Sequence, residues 1–253
     1  MGNNIRNTGE ETVLLEKWKK DLESIEYDLM GLNALRSDFE KLRKVVKVVL
    51  SVEGCKSEDE PFLSSFKVFA NLVLQGYVTF IVMGIRRQLK AKGNEISLIG
   101  ILEDIKQNNQ YISKKYLISL YLLSHQDADN HIKEILKEMA EGDWKRMLGD
   151  YEYLPSEVVE NDIKKLKDSA KEIEYFADKY VAHHDRERDN VKAGVTLNKI
   201  DPALENFGNI YKKYLMLVEG CALISLTPTR QFNDQKFFDE FEIWLKERLC
   251  DKK

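Results

Sequence analysis

Apolar residues in the first part of the chain fall alternately three and four positions apart: Leu15, Trp18, Leu22, Ile25, Leu29 and Leu32, then Phe39, Leu42, Val46 and Val49. One slot of this stripe holds a charge, Arg36, and the neighbouring Leu35 covers it. That alternation lines one face of an α-helix. It predicts a long helix over residues 11–52 that packs along a partner helix, within the chain or across a dimer, and so makes it a candidate dimerisation element.

The pattern continues helical. Ser57 and Glu60 have the spacing of a capping box, and Pro61 suits a first helical turn. An apolar helix then runs to about residue 90. From Val68 to Ile85 there is no charged residue, which reaches the lower limit of length for a membrane span. Asn71, Gln75, Gly76 and Thr79 interrupt it and Arg86-Arg87 follow. The reading taken is a central buried helix, apolar on all sides, with no membrane involved. AKGNE (91–95) is a turn, and Ser97 caps a short helix ending near Asn108. The next helix spans Ser113 to Glu141, with a break near His125–Asn130. GDWKRMLGDYEYLP (142–155), with two Gly-Asp pairs and a proline, reads as a loop.

Ser156 then caps a helix whose stripe is Val159, Ile163, Leu166, Ala170, Ile173, Ala177, Tyr180 and His184. DRERDNVKAGVTLN (185–198) is a charged loop. Asp201-Pro202 opens a helix, with Ile200, Leu204, Phe207, Tyr211, Tyr214, Val218 and Cys221 at the same spacing. LTPTRQFN is a turn, and Asp234 to Leu249 closes the chain as a helix. Four prolines in 253 residues leave such stretches intact. No internal repeat and no linker divides them, so the expectation is an all-α helical bundle of about seven long amphipathic helices, one domain over residues 1–253.

Composition narrows the functional classes. Hydrophobic residues make up 43% and charged residues 32%, enough for a core beneath a charged surface. The net charge is −4, so contact with nucleic acid must come from a local patch. Cys55, Cys221 and Cys250 are far apart and form no Cys-x-x-Cys pair, which speaks for a reducing, cytoplasmic setting. Gly2 is followed by Arg6 where a myristoylation signal has Ser or Thr, and no secretory pattern precedes the first helix. There is no Gly-rich phosphate loop, nucleophile elbow or His-Glu-x-x-His. In HQDADNH, His125 and Asp129, like Asp127 and His131, are four apart and would share a helix face. A metal site there is outweighed by an ordinary polar face, and Ile132 stands where a calcium loop has glycine. The tryptophans and tyrosines sit at helical spacing and read as core or interface.

The candidate chemistry lies in FADKYVAHHDRERD, residues 176–189, where two histidines end an amphipathic helix ahead of alternating acids and bases. This stretch resembles the hallmark of the HEPN superfamily, helical-bundle proteins of prokaryotic defence and toxin–antitoxin systems. That hallmark is an arginine, a polar residue, and a histidine four to six residues after the arginine. Asp178 fits the polar position and His183, within an Ala-His pair, fits the histidine. A second stretch, VTFIVMGIRRQLKAKGNEISLIGILEDI (78–105), is similar to the abortive-infection, AbiU-type branch, in which an apolar helix precedes a short helix opening with Ser-Leu.

The resemblance implies RNA cleavage without metal or cofactor, at a composite site between two protomers. The histidine would move a proton at the ribose 2′-hydroxyl, and the arginine would donate to the phosphate as charge develops. This chain departs from the pattern where it matters: the arginine slot falls on Ala177. Loss of one such donor costs about 10²–10³ in rate. Lys179 offers a point charge without the guanidinium fork, and Arg186, Arg188 or the Arg86-Arg87 pair can also reach in. The expected catalytic residues are therefore His183, Asp178, Lys179 and His184, with Arg86, Arg87, Arg186 and Arg188 toward RNA. Each has a plainer reading: His184 as a core histidine, His183 as a C-terminal helix residue favoured by the dipole, Arg86 and Arg87 as a polar helix end, Arg186 and Arg188 as a solvated loop. The alternative function is a catalytically inactive module of the same fold that binds RNA, a nucleotide or a protein.

Overall fold

The computed structural model describes residues 7–50, 60–91, 95–123, 125–182, 197–227 and 234–250. Among the described residues there are eight α-helices and no sheet. They are α1 (Asn7–Leu50), α2 (Glu60–Gln88), α3 (Leu98–Gln107), α4 (Lys114–Leu123), α5 (Asn130–Leu148), α6 (Ser156–Phe176), α7 (Leu197–Glu219) and α8 (Asp234–Cys250). The expected all-α bundle is what forms, with one more helix than counted from sequence. The additional one comes from the break near His125–Asn130, which separates α4 from α5.

The stripe of α1 organises the core. Leu15, Trp18, Leu22, Ile25, Leu29 and Leu32 are buried with α7 residues Phe207, Tyr211, Tyr214 and Val218. α3 and the inner face of α6, from Val159 to Ile173, join the same cluster. The long helix therefore spends its apolar stripe inside its own chain. Arg36, the charged slot, donates from Nη2 to Asp201 Oδ2 at 2.8 Å and also from Nε, tying α1 to α7. Farther along, Val45 and Val46 meet Phe66 and Ala70 of α2 and Leu245 of α8 in a smaller second cluster.

Polar groups stitch the same layers. Buried Asp162 of α6 accepts from Lys213 Nζ at 2.6 Å and from the Tyr214 hydroxyl at 3.2 Å, both on α7. Trp18 Nε1 of α1 donates to Asp104 of α3 at 3.1 Å, and the Tyr116 hydroxyl of α4 donates to the Val218 carbonyl at 2.7 Å.

Several local expectations need correction. α2 is not buried all round: Ile81, Val82 and Ile85 face the core, while Val68, Phe69, Leu72 and Phe80 are exposed. Uniform apolarity left its covered side undetermined, and packing against α1 and α6 covers only one. By length and composition alone, Ser64–Gln88 is long and apolar enough to cross a membrane. The segment read as a loop from Gly142 is helical as far as Leu148, because Ala140, Trp144 and Leu148 bury one face. That burial outweighs the roughly 1 kcal/mol cost of a glycine within a helix. The turn comes at Gly149, whose φ of 71° suits a residue without Cβ. Ser156 begins α6 instead of capping it: its hydroxyl turns to the Lys106 carbonyl, and Pro155 in extended conformation precedes the helix. α7 starts at Leu197, ahead of Asp201-Pro202, since Asp201 is engaged by Arg36 and Pro202 is accommodated inside the helix.

Candidate active site

α6 does not stop at Phe176. It continues as a π-helical turn over Ala177–Ala182, wider than the α-helix before it. Such turns recur at functional sites. Ala177 itself is 0% exposed and belongs to the main core. The slot that would hold the motif arginine thus points into packed hydrocarbon, and small size is what that position requires.

A guanidinium nevertheless stands at this turn, delivered by another helix. Arg86, near the C-terminal end of α2, places Nη2 2.5 Å from Oδ1 of Asp178, the polar residue of the motif. The Asp178 carboxylate is about half exposed and Arg86 less so, 53% and 28%, so the pair opens to solvent at one side. One helical turn earlier on α6, the Glu174 carboxyl is pushed up by burial and by Asp178, against the pull of Arg86. Two carboxylates and one guanidinium therefore share this corner.

The end of α2 is held firmly. Gln88, fully buried, donates from Nε2 to Asp28 Oδ2 of α1 at 2.8 Å. Its Oε1 accepts the backbone N–H of Leu98 at 2.9 Å, one of the amides that the first turn of α3 leaves unpaired. Asp28 also takes Arg87 Nη2 at 2.5 Å. Ser97 completes the junction: its hydroxyl accepts from Gly100 N at 3.0 Å and donates to the Lys90 carbonyl. The Ser97 cap was legible from sequence; Asp28 and Gln88 were not, because a lone carboxylate and a lone amide on helices carry no local signal.

Among the residues expected at the site, Arg86 and Asp178 are brought together. Lys179 follows, half-buried. Arg87 turns to Asp28 instead. His183, His184, Arg186 and Arg188 lie outside the described residues, as does the charged loop before α7. Glu174 was not singled out from sequence; its place four residues before Asp178 on a helix was the available signal. In HQDADNH, Asp129 serves as the N-cap of α5, accepting from Ile132 N at 2.9 Å. The helical face that would align it with His125 does not form. Among the described residues no three of His, Cys, Asp or Glu gather as a metal would need.

An all-α bundle with a polar, ion-paired turn at the end of one core helix is the class this architecture defines. The family model for AbiU2, a HEPN group, matches residues 32–241, and the chain belongs to that defence-associated family. No curated protein and no solved structure matches.

Proposed function

We propose that this protein is an endoribonuclease of a prokaryotic defence or toxin–antitoxin system, with Arg86 in place of the arginine absent from slot 177. The observation that supports this is the ion pair of Arg86 with Asp178 at the turn leading into His183. In this reading His183 handles the proton of the ribose 2′-hydroxyl. The freed oxygen attacks the adjacent phosphorus, the P–O5′ bond breaks, and the departing O5′ is protonated. The products are a 2′,3′-cyclic phosphate and a 5′-hydroxyl, so no water and no redox partner enters the cleavage step. Arg86 donates to a non-bridging phosphate oxygen as charge builds, where a fork of N–H groups is worth more than a point charge. Asp178 keeps that fork aimed, and Lys179 adds positive potential.

Two copies acting together belong to this reading, as the resemblance implies. The exposed, uncharged face of α2 around Val68, Phe69 and Leu72 supports a second copy as its occupant. A face without charge over that length is complementary to itself.

The alternative, a non-catalytic RNA-, nucleotide- or protein-binding module, is favoured by the burial of Ala177, which leaves α6 without its own arginine. Incubation of mixed cellular RNA with wild type and His183→Ala, in EDTA, separates the two. Cutting by wild type that is lost in the variant is the expected result; equal cutting by both would overturn the assignment of His183. RNA binding with no cutting by either would favour the module.

A further inference from the structure

Between α1 and α2, at the end where Arg86 stands, lies an open groove of about 540 Å³, within the range of small-ligand sites. Its two ends differ in chemistry. Phe80 and Met83 of α2 wall one end, and Tyr27 of α1 stands at the other, next to Asp28. Tyr27 is 72% and Phe80 70% exposed. Trp18, Trp144, Tyr211 and Tyr214 do lie in the core as their spacing suggested, but Tyr27 does not. Tyr27 and Phe80 are each a large ring left in water beside the groove, as base stacking requires. Gly31 also lines it, and a Cβ there would meet nothing within 4 Å, so the glycine keeps this space open.

The end at Tyr27 is cationic. Arg86, Arg87 and Lys90 line it, and Asp178, Asp28 and Glu95 hold them in place. A guanidinium carries five N–H donors, more than a single carboxylate takes. The ion pairs orient the forks and leave them able to grip a phosphate. An exposed ring beside oriented cations matches a base with its phosphate.

We infer that this groove seats one nucleotide of a single-stranded RNA, its base against Tyr27 and its phosphate toward Arg86 and Arg87. The inference rests on the proposed function for its choice of RNA. Arg86 belongs both to the groove and to the Asp178 corner, so a seated base sets the phosphate presented to that corner and gives cutting a base preference. A duplex, with its bases paired and stacked, does not present a free base to the ring. A free mononucleotide carries the same chemistry, and the test has an arm for it.

Binding is measured in the His183→Ala background by fluorescence anisotropy, with a mixed-sequence single-stranded RNA of roughly ten nucleotides. Gly31→Leu is added to fill the groove from a helix position that has room for a side chain and gains helix propensity. Affinity should fall about tenfold or more, the worth of one stacked base, with no loss of melting temperature. Free mononucleotides should compete only at much higher concentration. Equal affinity with and without Gly31→Leu would overturn the seat, and so would mononucleotide binding without RNA binding. If wild type cuts no RNA while oligonucleotide binding still depends on Gly31, the catalytic reading fails and the seat stands. Undiminished cutting and binding by the single variant Gly31→Leu gives the reverse.

Discussion

Gln88 joins two helices through opposite ends of one amide, donating to Asp28 of α1 at 2.8 Å and accepting the first backbone N–H of α3 at 2.9 Å. Arg86, two residues earlier, inherits its position from this anchor. Gln88→Leu removes both bonds and leaves the Leu98 amide buried without a partner. The expected loss is about 2 kcal/mol, read as a lower urea midpoint at unchanged slope. Gln88→Glu should cost less at acidic pH than at neutral pH, because only the protonated acid can donate to Asp28.

Arg86 is predicted to act through its fork. Arg86→Ala should lower RNA cleavage by about 10²–10³, and Arg86→Lys should recover only a small part of it because a point charge cannot reproduce bidentate donation. Single-turnover cleavage at saturating RNA distinguishes this from weakened binding. Full rescue by lysine would mean that charge alone is needed there.

The acidic end of α7 makes stability depend on pH. Burial is the largest cause raising the Glu219 carboxyl from 4.5; Lys19 lowers it, and Glu26, Glu23 and Glu16 raise it further. A carboxyl raised on folding favours the protonated native state. Its contribution is full below the unfolded value and is lost as pH rises through the folded one. Glu219→Gln should therefore stabilise the protein at neutral pH, by less than about 1 kcal/mol because solvent screens this half-exposed group. The gain should vanish in denaturation curves recorded below roughly pH 4.

Association is expected through α2, since the stripe of α1 is already buried within the chain. Wild type should sediment as a dimer, and Leu72→Glu, at an exposed position on the uncharged face, should sediment as a monomer with an unchanged helical circular dichroism spectrum. A dimer that survives this charge would move the interface elsewhere.

Much of the fold was legible because it depends on period. Leu15 to Leu32 marks α1 with its buried face, and the stripe from Val159 to Ala177 does the same for α6. What period cannot tell is which side of a uniformly apolar helix is covered, and α2 is the case where that mattered. Composition likewise could not show that Gly142 lies inside a helix, since burial of Trp144 from elsewhere in the fold decides it. The site was half legible. The Asp178 end has a local pattern, and Arg86 was noted as a cation toward RNA. Their meeting depends on the approach of α2 to α6, which no spacing within either helix encodes.

Ala177 has a consequence for how this lineage can change. With α2 packed against α6 and the alanine fully enclosed, a lone change to arginine would put a long charged side chain into the core, at a cost of several kcal/mol. A guanidinium can stand on α6 at this position only if α2 moves away, and Arg86 would then lose Asp178. Positions 86 and 177 should therefore vary as a couple: relatives with a small residue at the second should keep a base at the first, and those with arginine at the second should be released from that constraint.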